Sequence, residues 1–183
     1  MEAWIWVVIV LGVLAAAVVA AWGYRRRRTH ELRARFGPEY DRTLWSADSR
    51  REAERELESR RARRERLDIR PLDPATRQRY AEAWEDVQAR FVDAPAVALA
   101  SAEGLALQVM RERGYPTDDF EQQAADVSVD HPEVVSHFRA GHEVMEQAGR
   151  GAADTEELRQ GLMRYRALFD RLLESEVPAA RDR

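Results

Sequence analysis

The sequence predicts an all-α chain: a single N-terminal transmembrane helix, a charged helical spacer, then a four- to five-helix bundle. Three observations predict it. Residues 3–24 form an uncharged apolar run that ends on four consecutive arginines, Arg25 to Arg28. Residues 47–68 are dominated by Glu, Arg, Ala and Leu, all good helix formers, with Leu57 and Leu67 the large apolar residues. Beyond residue 70, apolar side chains recur at helical spacing between Asp-Pro, Gly and Pro punctuation. The predicted organisation is 1–28 anchor and basic stop, 29–70 spacer, 71–176 bundle and 177–183 a frayed end.

The anchor follows from length. Trp4 to Trp22 is 19 residues, which at about 1.5 Å per residue spans roughly 28 Å, close to a bilayer's hydrocarbon core. Only a helix satisfies its backbone groups in that solvent. Trp4 and Trp6 at one end, with Trp22 and Tyr24 at the other, suit the two interfaces. The four arginines against a lone Glu2 predict an N-terminus outside and a C-terminal domain in the cytoplasm, in a single-pass arrangement at the cell membrane. A cleaved signal peptide is the alternative; the run lacks a positive n-region, exceeds the usual length and carries its charge on the wrong side. Gly12, Ala16 and Ala20 recur every four residues, a small-residue stripe on which two such helices can self-associate, although alanine is also simply common here.

The membrane helix is expected to continue to Phe36, where Gly37-Pro38 breaks it. Pro38 then opens a short helix whose Tyr40, Leu44 and Trp45 form a small apolar face. That face either lies on the lipid interface or docks on the distal domain. In residues 47–69, glutamates alternate with arginines up to Arg60, Arg61, Arg63 and Arg64, which reads as a solvated helix, polar on all sides. A coiled coil is the weaker alternative, since no heptad is sustained. The arginines can also meet anionic lipid or RNA, but balancing acids blunt that field.

Five helices are predicted downstream. Asp73 caps and Pro74 opens the first, with Tyr80, Trp84, Val87 and Phe91 on one stripe. Asp93-Ala94-Pro95 repeats the start signal for a helix apolar on nearly every side from Ala94 to Met110, with Glu103 its only charge. Gly114 and Pro116 end it. Thr117 or Asp118 is expected to cap a short helix through Ala125, followed by an extended connector over Val127 to Asp130. Pro132 is expected to open the fourth, with Val134, Phe138, Gly141, Met145 and Ala148 on one face. Asp154 caps the fifth, whose Leu158, Leu162, Tyr165, Phe169 and Leu172 make the cleanest stripe of the chain; Val177-Pro178 stops it.

Composition removes several chemistries. There is no cysteine, hence no disulfide, zinc–thiolate site or thiol nucleophile. All 29 basic residues are arginine, which removes Schiff-base lysines and a Walker lysine. Residues 25–70 hold 16 Arg against 10 acids and residues 71–183 hold 13 against 22. The distal part is acidic, so nucleic acid is not its expected partner.

The one place where a site can hide is around His131, His137 and His142, with Asp126, Asp130, Glu133, Glu143 and Glu146. Helical geometry argues against a metal centre: His131 and His142 are about 16 Å apart along an axis, and His137 and His142 about 140° apart around it. Glu133–His137 and His142–Glu146 read as surface i, i+4 pairs. Asp126 to His137 imitates a calcium loop but lacks its glycine and final glutamate. No phosphate loop, nucleophile elbow or dinucleotide fingerprint occurs. No catalytic, cofactor-binding or metal-binding residue is therefore assigned, and the chain is read as a non-enzyme without a cofactor.

Several segments carry a family resemblance: Arg35 to Asp41, Ile69 to Pro74, Gly114 to Pro116, Asp130 to Pro132 and Tyr165 to Phe169. Together they resemble a group of small uncharacterised bacterial proteins with one N-terminal membrane helix, over most of the chain after residue 30. The resemblance implies no function and no site residue. The functional expectation is a membrane-tethered interaction module, anchored through residues 3–24, that presents an acidic helical bundle to a protein partner. The alternative is a ligand sensor or enzyme with a site in the bundle, using His131, Tyr80, Trp84 and the acids around Asp130.

Overall fold

The computed structural model describes residues 3–174, which form eight helices and no strand. Two compact units divide between Leu57 and Glu58. The expected fray over 177–183 and the Val177-Pro178 stop lie outside the described residues.

The first unit is built on α1 (Ala3–Phe36), a single helix of 34 residues running from the apolar stretch through the arginines. Gly37 ends it at a positive φ of 49°, and Pro38 opens α2 (Pro38–Ser46). Leu32, Phe36, Tyr40, Ala53 and Leu57 are buried. The apolar face expected on α2 is corrected. Glu39, Tyr40 and Thr43 face inward, whereas Trp45 is 90% exposed. Trp45 sits five residues after Tyr40, about 140° around the helix, so the two cannot share a narrow face.

The charged helix α3 (Arg50–Arg64) departs from a solvated spacer. Ala53 and Leu57 are fully buried. Near its end, Arg63 and Arg64 bond to Asp126 and Asp130, carboxylates 63 and 66 residues away in sequence. Composition alone reads such a helix as polar all round; two apolar residues four apart are enough to give it an inner side.

The second unit holds the bundle. Asp73 accepts a hydrogen bond from the Thr76 amide at 2.9 Å and Pro74 fills the first turn of α4 (Pro74–Phe91). At α5 (Pro95–Glu112) the cap position is Ala94, which has no side-chain acceptor, so Pro95 alone marks the start there. α5 packs against both α4 and α8 (Thr155–Glu174), and α8 also packs along α7 (Val135–Gly149). Leu99, Ala102, Ala106, Val109 and Met110 of α5 are buried among Trp84, Leu162, Tyr165, Phe169 and Leu172. The expected stripes of α4 and α8 are both core.

Gly114 closes α5 at φ 96°, and a Cβ there would fall 2.5 Å from the Asp68 carbonyl oxygen. That close approach is held on both sides: the Arg70 amide donates to the Arg113 carbonyl (2.9 Å) and Arg113 Nε to the Arg70 carbonyl (3.2 Å). The α8 start is a reciprocal capping box. The Glu157 amide donates to Asp154 Oδ1 and the Asp154 amide to Glu157 Oε2, each at 2.8 Å.

Two further expectations are corrected. α6 (Phe120–Asp130) is capped by Asp119, which accepts from the Gln122 amide at 2.8 Å, and it runs through the predicted extended connector. Burial of Val127 and Val129 and the Ser128 hydroxyl bond to the Ala125 carbonyl (2.6 Å) outweigh the strand preference of the valines. α7 begins at Val135 rather than Pro132, because residues 131–134 form a turn in which the Val134 amide donates to the His131 carbonyl (3.1 Å). Pro132 occupies the second turn position that proline favours.

Candidate functional site

Two features stand out, one in each unit. In the first unit, the large apolar side chains described between Trp4 and Tyr24 of α1 are 54–68% exposed. This helix is long and apolar enough to cross a membrane. The Gly12, Ala16, Ala20 stripe lies on the same uncovered surface.

At the end of that surface is an open concavity of about 770 Å³ between α1 and α3. Trp22, Arg25, Arg26, Arg28, Thr29, His30 and Arg33 line it from α1, and Arg50, Arg51, Glu54 and Arg55 from α3. Trp22, Arg26, Thr29 and Arg33 fall within about 60° of arc on a helix, which is why one face of α1 supplies them. Arg26 lies over the Trp22 ring at 5.4 Å, and Arg33 over the Tyr40 ring at 5.0 Å.

Glu54 is the one carboxylate of this lining, and it is already engaged: it accepts from the Thr29 hydroxyl at 2.7 Å and the Tyr40 hydroxyl at 3.2 Å. Burial, then the neighbouring Glu54 charge, push the Tyr40 phenol above its ordinary pKa, so it stays the donor. Among the described residues, Arg33 pairs with Asp41 at 3.5 Å, while Arg25, Arg26, Arg50, Arg51 and Arg55 form no ion pair.

In the second unit, the acids and histidines singled out in the sequence separate into different roles. Asp126 is fully buried, accepting from Arg63 Nε at 3.0 Å and Gln122 Nε2 at 2.9 Å. Asp130 is held by Arg64 and by the Tyr115 hydroxyl at 2.6 Å. Burial and the adjacent Asp130 charge raise the Tyr115 pKa, leaving its phenol protonated as a donor. Arg113, also buried, gives Nη1 to the Leu172 carbonyl at 2.8 Å. These bonds pin α3, α6 and α8 and leave their polar groups turned inward.

His131 caps the C-terminal end of α6, and its amide donates to the Val127 carbonyl at 2.8 Å. Its ring is buried with neither nitrogen hydrogen-bonded; Glu133 Oε1 lies 3.9 Å from Nδ1. Burial lowers its pKa from 6.5 to about 4, so the ring is neutral. Tyr80 and Trp84 are core residues, Trp84 stacked on Phe169 at 4.7 Å between centroids. A second concavity of about 310 Å³ lies between α4 and α8, and neither concavity is lined by His131, Tyr80 or Trp84.

His137 is exposed, and its expected partner Glu133 turns instead to Arg171 at 2.7 Å. Glu143 is exposed. His142 keeps a long contact with Glu146 at 4.0 Å, but its main partner is Glu103, at 2.8 Å from Nδ1. Glu103 also accepts from the Tyr165 hydroxyl at 2.8 Å, and Phe120 stacks on the His142 ring at 3.7 Å. This Glu103–His142–Tyr165 group joins α5, α7 and α8 and has no local signature. Its one sequence hint is a lone acid in the otherwise uncharged run from Ala94 to Met110. Among the described residues, no cluster of three or more His, Asp or Glu is arranged to hold a metal. No protein-family model, curated protein or solved structure matches the chain.

Proposed function

We propose that the chain is a membrane-tethered interaction module that holds an acidic helical bundle on the cytoplasmic side for a protein partner. The observation that supports it is the uncovered apolar surface of α1, which ends on Arg25 to Arg28. Twenty apolar residues in water are costly, at roughly 25 cal/mol for each Å² exposed, and a bilayer is the solvent that removes the cost. The arginine excess at one end favours retention of that end in the cytoplasm. Residues 71–183, with 13 Arg against 22 acids, then offer a surface that favours a basic partner.

The absence of cysteine makes the test clean. Single substitutions Glu2→Cys and Ser136→Cys, the latter exposed on α7, are labelled in intact cells with a membrane-impermeant maleimide. The expected result is labelling at position 2 in intact cells and at position 136 only after lysis, with the full chain resisting extraction by alkaline carbonate. Release of the chain by carbonate would sink the tether. For the partner, in-cell crosslinking of the intact protein is expected to capture recurring neighbours through the bundle; a co-purifying small molecule in their place would favour a ligand sensor.

A further inference from the structure

We propose that the concavity between α1 and α3 is a binding site for the headgroup of an anionic phospholipid. The inference rests on the tether reading, because it takes the Trp22 end of the site to lie at the bilayer surface.

Four features of the site point to a phosphate-bearing headgroup. The first is charge: seven arginines and one glutamate line it, and that glutamate is occupied by two hydroxyls. The second is availability. Arg50, Arg51 and Arg55 on α3, with Arg25 and Arg26 on α1, form no ion pair among the described residues, so no carboxylate neutralises these five charges, and Arg55 is engaged only through Nε, which donates to the Arg51 carbonyl at 3.2 Å. The third is chemistry: a guanidinium matches a phosphate with two parallel hydrogen bonds and keeps its charge at any physiological pH. The fourth is place. Trp22 forms the edge toward the apolar run, where an indole sits at headgroup depth, and Arg25 to Arg33 extend about 16 Å beyond it along the helix axis.

A flanking arginine run needs no pocket to act as a cytoplasmic stop. The α3 arginines are what that simpler role does not require. They stand about 26 residues past the apolar run in sequence, outside the stretch that sets orientation. Yet the fold returns them to the end of the apolar surface, with the Thr29–Glu54 bond holding α3 against α1. At about 770 Å³ the space falls in the range of small-ligand sites. A continuous basic groove along the bundle would suit a nucleic acid better; here the positive lining abuts apolar helix, which suits an acyl chain.

The test is native mass spectrometry of the full chain in a neutral detergent, titrated with dioleoyl phosphatidylglycerol or dioleoyl phosphatidylcholine. Wild type is expected to bind the anionic lipid at least about tenfold more tightly. Arg50→Gln/Arg51→Gln/Arg55→Gln is expected to lose that preference, while Arg61→Gln/Arg66→Gln/Arg79→Gln, with the same charge removed elsewhere, keeps it. If the first triple variant loses helix by circular dichroism, Arg25→Gln carries the test, with a smaller loss expected. Equal binding of the two lipids, or a triple variant indistinguishable from wild type, overturns the proposal. So does displacement of the lipid by millimolar inorganic phosphate or by a short RNA oligonucleotide, which would assign the site to a soluble anion. Carbonate extraction of the same wild-type protein separates the two readings: a chain that stays in the membrane but shows no lipid preference refutes only the headgroup site.

Discussion

Arg50, Arg51 and Arg55 at the start of α3 line an open concavity and form no ion pair among the described residues. About two to four turns later on the same helix, Arg63 and Arg64 hold carboxylates that are almost wholly removed from water, Asp126 and Asp130. Residue type and helix are the same, so what differs is the surroundings. A guanidinium beside a buried carboxylate compensates a charge that would otherwise be very costly to bury. One facing open solvent next to an apolar helix contributes little to stability and stays available to a ligand. The comparison teaches that arginines of one helix divide by their surroundings: Arg63 and Arg64 hold buried carboxylates, whereas Arg50, Arg51 and Arg55 form no ion pair among the described residues.

The largest effect is expected at the structural end. Asp130→Ala removes the acceptor of both Arg64 and Tyr115 and should cost about 3–5 kcal/mol, since a buried charge loses its partner. The check is the urea midpoint of the detergent-solubilised full chain, followed by near-UV circular dichroism. A double replacement, Arg64→Met with Asp130→Leu, should recover much of the loss. Failure of Asp130→Ala to shift the midpoint would erase the contrast.

The next effect probes the same polar region through pH. His131 is neutral in the fold, with its pKa lowered to about 4 by burial, against an ordinary 6.5. The unfolded chain therefore binds more protons between those values. Stability from this group is fully present above pH 6.5 and is lost as pH falls from 6.5 toward 4, by about 3 kcal/mol if the whole shift is expressed. Asp130 and Glu133 favour its protonation, and Arg113 and Arg171 oppose it. His131→Leu should flatten the slope of stability in that window; an unchanged slope would mean that other groups carry it.

The smallest effect is expected at the open end. Arg51→Gln should leave the same midpoint within about 0.5 kcal/mol, as exposed substitutions commonly do. A loss several times larger would show that the α3 arginines support the first unit, and the two arginine populations would merge into one.

Local signals carried much of the architecture. The Asp73-Pro74 start, the Asp154 cap and the α8 stripe are each determined within one or two turns, and each reads directly from residue order. The Val127-to-Asp130 segment misled because β-branched residues resemble a strand when their burial is not visible. The pairings that organise the polar groups were out of reach for a different reason. Arg63 and Asp126 are separated by 63 residues, and Glu103 and Tyr165 by 62. Nothing in a helical period encodes which distant helix will lie alongside. The arginine concavity is a mixed case: its α1 half is the legible basic run, while its α3 half depends on how the chain turns at Gly37 and again before Arg50.

The unbroken course of α1 carries one mechanical consequence. Its 34 residues amount to about 51 Å of continuous helix, of which roughly the last 18 Å, Arg25 to Phe36, lie beyond the apolar run. No proline interrupts it before Gly37, and its helical hydrogen bonding runs through Gly12 and Gly23, so the last third continues the helix of the first two. A change of about 10° in the tilt of the apolar part moves the far end by about 3 Å. If the apolar part spans a bilayer as proposed, a tilt that accommodates a change in thickness would reach the α1–α2 corner as a displacement.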